Sequence, residues 1–170
     1  MVWQTLKSSF FSSSLEKNQL SLYEKLKKEL PQADETKLLA ATAIAGLLCS
    51  VAFSDMTISE QERKQMALEL KKLSTLKSKE IELITHMSSK EMKEFTTIPM
   101  HDYSDYLGNN LSIEERYKIL LSLFTLAASH EGVSVLEAEE IRLLCKGLLL
   151  EHKHFVAAQA SVKEHLNSLK

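Results

Sequence analysis

The sequence predicts an all-α fold: a single compact bundle of about 7–9 helices built from two similar helical hairpins, inferred from helical periodicity. Three observations carry this prediction. Apolar residues recur at helical spacing, as in Ile113, Tyr117, Leu120, Phe124 and Ala127, whereas no segment alternates with period two long enough for a strand. Glycine and proline are scarce, 4 and 2 in 170 residues, where average usage would give about 20 together. That scarcity excludes turn-rich sandwiches, collagen-like repeats and linker-like disorder. Finally, Ser-x-x-Glu recurs at Ser13–Glu16, Ser59–Glu62, Ser88–Glu91, Ser112–Glu115 and Ser134–Glu137. In this capping box, serine and glutamate satisfy two otherwise orphaned amide donors at a helix start.

The elements follow in order. A helix over 14–30 ends in a Lys-rich turn before Pro31, and Asp34 caps the next, over 35–54. Leu38–Ser54 is an uncharged run of 17 residues, shorter and smaller in side chain than the roughly 20 apolar residues of a spanning helix; it reads as a core helix. Met66, Leu70 and Leu73 stripe a helix over 59–74. Residues 77–97 fit either two short helices, 77–87 and 89–97, or one kinked helix, with Pro99 ending the run. A helix over 100–107 precedes Gly108-Asn109-Asn110, read as a turn. Helices over 112–131, 134–150 and 152–169 complete the chain. Ile141, Leu144 and Leu148, with Glu137 at the edge, stripe the second of these; Phe155, Ala158, Val162, Leu166 and Leu169 stripe the third.

An internal repeat sits within this pattern. Leu48–Glu62 and Leu123–Glu137, offset by 75 positions, match at five of fifteen residues without a gap. Each describes an apolar helix, a short loop, a β-branched staple (Ile58 or Val133) and a helix opening Ser-x-x-Glu. So short a connection makes each pair a hairpin with one face to bury. The repeats span about 35–74 and 112–150, within a domain over 15–170 preceded by a flexible or docking segment, 1–14.

A net charge of −2 gives no electrostatic case for nucleic acid. Met1–Asn18 lacks the apolar run of a secretory signal, so the expected compartment is the cytoplasm, with Cys49 and Cys145 reduced. Trp3, Leu6, Phe10 and Phe11 share one helical face, which either packs on the bundle or lies against a partner or the inner membrane surface through residues 3–11.

The duplicated hairpin, with its acidic loop and capped second helix, resembles the TerB-like tellurite-resistance family. The residues concerned are Ser54-Asp55-Met56-Thr57-Ile58-Ser59-Glu60-Gln61-Glu62 and Ser129-His130-Glu131-Gly132-Val133-Ser134-Val135-Leu136-Glu137, with Leu111–Arg116 and Leu148–Ala158 also similar. The resemblance implies a compact helical bundle, a stress-associated role without demonstrated catalysis, and a divalent-cation site built from the acidic loops. Its relatives are stand-alone cytoplasmic proteins or domains joined to membrane-associated or chaperone-linked partners. Where that family has Asp-Gly-Glu, this chain has Asp55-Met56-Thr57, and His130 stands in place of the second aspartate.

Asp55, Glu62, Glu131 and Glu137 are the candidate ligands for Ca²⁺ or Mg²⁺, which take several hard oxygens; the competing reading makes Glu62 and Glu137 helix caps. The loop is not an EF-hand, since the twelfth position from Asp55 is Met66. His130, His152 and His154 lack the spacing of a zinc set. Both cysteines should be buried and inert, and no catalytic or phosphate-binding motif occurs. The leading expectation is a non-enzymatic TerB-like binding or scaffold module with a protein partner and no indicated small-molecule substrate. The alternatives are a small hydrolase or redox enzyme around His101 and Asp102, and a peripheral membrane adaptor using Trp3, Phe10 and Phe11.

Overall fold

The computed structural model describes residues 22–94, 100–130 and 132–168. The segment 1–14 with Trp3, Phe10 and Phe11, the Ser13–Glu16 pattern, Pro99, Glu131 and Leu169 lie outside them. Among the described residues the structure is all helical. Its helices are α1 (Leu22–Glu29), α2 (Glu35–Ala52), α3 (Glu60–Leu73), α4 (Ser78–Glu94), α5 (Met100–Asn110), α6 (Ile113–Ala127), α7 (Val135–Gly147) and α8 (His152–Ser168). A 3-10 turn, Phe53–Asp55, follows α2.

Helix α2 is the centre. It packs against α1, α3, α4, α5, α6 and α7 and buries residues on every side, from Leu38 through Ala52. A helix apolar all round has no solvent face to keep, so the uncharged run is core. The stretch Glu35–Asp55 is long and apolar enough to cross a membrane by composition, yet 72% of its apolar window is buried in the bundle. Its small residues let six neighbours close in. A Cβ on Gly46 would stand 2.6 Å from the Tyr103 ring, so this position admits α5 only as glycine.

The two hairpins, α2–α3 and α6–α7, interlock around the α2–α6 contact: α2 packs on α7, and α6 on α3. Each crossing carries one serine-to-glutamate bond. Ser122 on α6 donates to Glu69 Oε2 at 2.8 Å, and Ser50 on α2 donates to Glu140 on α7. Glu69 is 1% exposed, and its other oxygen accepts from Gln65 at 2.8 Å and Lys72 at 2.7 Å. The buried charge is thereby fully engaged. Outside the hairpins, α8 covers α6 with Phe155 edge-on to Phe124, ring centroids 5.1 Å apart, and Lys25 pairs with Glu91 between α1 and α4.

Of the two readings of 77–97, the structure takes the single helix, Ser78–Glu94. Two sequence expectations are corrected. Ser88–Glu91 is not a cap: Ser88 lies buried inside α4, and Glu91 is taken by Lys25. Ser89 donates back to Thr85 O at 2.8 Å, an in-helix bond that leaves the backbone intact. Gly108-Asn109-Asn110 is not a turn but the last turn of α5. The asparagine side chains donate to Asp105 O and Tyr106 O at 2.8 and 2.7 Å. Gly108 is glycine because α7 crosses there: a Cβ would meet the Gly147 carbonyl at 2.7 Å.

Gly46→Ala should destabilise the protein by about 1–3 kcal/mol through overpacking. Urea unfolding checks this, and combining it with Tyr103→Leu should recover part of the loss. Full stability in Gly46→Ala would show that α2 and α5 do not meet this closely.

Candidate functional site

The two hairpin loops lie at one end of the interlocked pair, because each follows the first helix of its hairpin and those helices pack together. In the first loop the chain turns at Met56, whose φ of 69° is left-handed, with its N–H bonded to Phe53 O at 2.8 Å. Asp55 Oδ1 then accepts from Thr57 N at 3.0 Å and Thr57 Oγ1 at 2.9 Å. This is an Asx turn. Ile58 is buried as the staple, and the capping box closes α3. Ser59 N donates to Glu62 Oε2 at 2.7 Å, and Glu62 N to Ser59 Oγ at 3.1 Å.

The second loop repeats the plan. Ser129 Oγ donates to Leu126 O at 2.7 Å, stopping α6 shortly before the expected end. Gly132 takes a φ of 96°, and Ser134 N donates to Glu137 Oε2 at 2.8 Å, with Glu137 N returning to Ser134 Oγ at 3.2 Å. One direct bond joins the loops: Gln61 Nε2 donates to Ser129 O at 3.2 Å. The 3-10 turn of the first loop also rests on α7 of the second hairpin. So Asp55 and Glu62 come from one loop and Glu137 from the other, each carboxylate accepting a local hydrogen bond. Among the described residues, no three His, Cys, Asp or Glu side chains gather closely enough to hold a metal ion.

The other candidates disperse. His101 has an 83% exposed side chain, its Nδ1 lying 3.4 Å from Asp105 Oδ1, while Asp102 is half-buried. His130 is exposed. His152 stacks on Phe155, and His154 Nδ1 accepts from Glu151 N at 3.0 Å, a histidine in the place a capping glutamate would take. Cys49 is fully buried, and desolvation, eased slightly by Ser89, pushes its thiol up to about 12 from an ordinary 9.0. Burial raises the Cys145 thiol as well. Neither forms an appreciable thiolate at neutral pH.

Sequence reasoning missed the structural carboxylates Glu69 and Glu140, and also a cavity at the opposite end of the hairpins. That cavity measures about 300 Å³ and is rimmed by Lys37, Lys72 and Lys118 over Ala41, Ile44 and Ile119. One signal was available: at the repeat offset Ile44 pairs with Ile119, but Ala41 pairs with Arg116.

Interlocked hairpins with paired, capped acidic loops define a duplicated helical-hairpin module. A family model described as tellurite resistance protein TerB matches residues 41–160, more than half of the chain, and the chain belongs to that family. No curated protein and no solved structure matches it.

The family's glycine position is here Met56, at a backbone angle that costs an L-residue about 1–2 kcal/mol, against about 0.5–1 for glycine's extra chain entropy. Met56→Gly should therefore stabilise the protein by about 0.5–1 kcal/mol in chemical denaturation, from that difference. A loss of stability would show that the methionine side chain contributes packing that outweighs its strain.

Proposed function

We propose that this TerB-family chain is a non-enzymatic binding module, associated with stress response, that engages a protein partner through the outer face of α7. One observation carries the reading. Val135, Leu136 and Leu143 are 79%, 60% and 59% exposed and share one side of α7 with the Glu139–Arg142 ion pair. Met56, 67% exposed, extends the apolar surface from the loop whose turn rests on this helix. Contiguous exposed apolar surface rimmed by charge is the physical mark of an interaction site. The buried, high-pKa thiols and the solvent-facing His101 support a role without nucleophilic chemistry.

Photo-crosslinking in cells tests the reading. Benzoylphenylalanine at Leu136 or Leu143 should give a discrete adduct that Leu68, an exposed leucine on α3, does not. The same adduct from Leu68, or none from α7, would count against it.

A second reading rests on the juxtaposed loops, joined by the Gln61–Ser129 bond: Asp55, Glu62 and Glu137 would contribute to a Ca²⁺ or Mg²⁺ site completed by loop carbonyls and by Glu131. A cation binding only the folded state at a hundred times its dissociation constant adds about 2.7 kcal/mol. Thermal unfolding in EDTA, then in Ca²⁺ or Mg²⁺, should show a rise lost in Asp55→Asn/Glu62→Gln. Identical curves with and without ions would leave these carboxylates as caps alone.

A further inference from the structure

We propose that the cavity between the N-terminal ends of α2 and α6 and the C-terminal end of α3 binds a small anionic amphiphile, a carboxylate on a short apolar chain. The inference is independent of the α7 face and of the acidic loops, which lie at the other end of the hairpins.

The cavity exists because the repeat is broken there. In the second hairpin, Arg116 of α6 reaches the end of α7 and donates to Leu148 O at 2.9 Å and Leu149 O at 3.1 Å. The chain leaves that helix through Leu149, φ 54°, with Leu150 N closing on Cys145 O at 3.0 Å. At the offset of 75, the counterparts of Arg116, Leu148 and Leu149 are Ala41, Leu73 and Ser74. All three line the cavity. The first hairpin thus has an alanine methyl where the second has an arginine side chain. Its helix leaves in an extended conformation at Ser74, φ −128° and ψ 160°. The space of about 300 Å³ lies where that arginine side chain is missing, at the lower end of the range of small-molecule sites.

Its lining fixes the ligand chemistry. Ala40, Ala41, Ile44, Leu73 and Ile119 supply an apolar floor, and three lysines stand around it. Lys72 is held by Glu69, but Lys37 and Lys118 are exposed and have no carboxylate partner among the described residues. The one carboxylate of the lining, Glu115, is committed to Ser112 N at 2.8 Å. Lys37 sits in the first turn of α2, where the helix dipole disfavours a cation. The buried Ser74 Oγ adds a hydroxyl without a hydrogen-bond partner among the described residues. An apolar tail on the floor with its carboxylate between Lys37 and Lys118 satisfies both halves of the site.

The test is an amide NMR titration of the full chain with octanoate, octanol and octylammonium. Octanoate should shift the amides of Ala41, Ile44, Ser74 and Ile119 saturably and bind at least about tenfold more tightly than the other two. Lys37→Met/Lys118→Met, altering exposed side chains only, should erase the preference for octanoate over octanol. Ala41→Arg, which installs the second repeat's residue, should abolish binding while keeping or raising the Tm. If that variant does not fold, the double lysine variant decides. The proposal is overturned by octanol or octylammonium binding as tightly as octanoate, by shifts that cluster elsewhere or are absent at millimolar octanoate, by a preference that survives in the lysine variant, or by folded Ala41→Arg binding octanoate unchanged.

Discussion

The structure depends on one constraint: α2 has no solvent face. Past its exposed first turn, Glu35 to Lys37, burial leaves the helix's polar atoms only local or immediately adjacent partners, and its sequence meets that requirement. Thr42 turns its hydroxyl back to Leu38 O at 2.7 Å, Cys49 stays a neutral thiol, and Ser50 reaches Glu140 across the α7 interface. The remaining positions are filled with leucine, isoleucine, valine, alanine and glycine, so that neighbours pack at different depths around one axis. Tyr103 packs directly over Gly46.

The same helix sets the relation between the hairpins. Packing α2 against α6, its own repeat counterpart, places both loops at one end and both hairpin feet at the other. At the loop end the repeats remain alike: two capping boxes, two staples, one bond from Gln61 to Ser129. At the foot they diverge, with Arg116 capping α7 and Ala41 leaving α3 uncapped. The two crossings each keep a serine–glutamate bond, but at positions that are not equivalent under the repeat: Ser122–Glu69 and Ser50–Glu140.

What the sequence discloses is what is decided within about one helical turn. Ser59, Ser112 and Ser134 cap as expected because the box needs only residues three apart and a free helix start. Ser88–Glu91 has the same letters, but α4 already covers Ser88 with its own turns, so no amide is left to cap. Gly108 carries the letters of a turn and serves a crossing, a fact that depends on α7, far along the chain. The positions of Asp55, Glu62 and Glu137 in the loops were legible for the same local reason as their caps. The cavity was not, since Lys37, Lys72 and Lys118 meet only after three separated helix ends converge. Glu69 was hidden too: nothing near it in sequence distinguishes a buried glutamate held by Ser122 from any solvated one on a lysine-rich helix.

These two scales bear on how the acidic loops can act. A capping interaction of this kind stabilises by about 0.5–2 kcal/mol, small beside the energy of a bound divalent ion, so a cap does not by itself forbid a ligand. The deciding quantity is the number of oxygens. Calcium takes 6–8 oxygen ligands, and the described loops bring three carboxylates, each already bonded to a backbone amide of its own loop. The substitutions of this chain move in one direction: Met56 for a turn glycine and Thr57 for a glutamate remove, respectively, backbone freedom and charge, while Thr57 ties down Asp55. Thr57 ties the loop together, Met56 strains it at a left-handed angle, and neither supplies a carboxylate. Met56 itself stands 67% exposed at the turn, so the residue that removes the loop's backbone freedom also puts apolar surface on it.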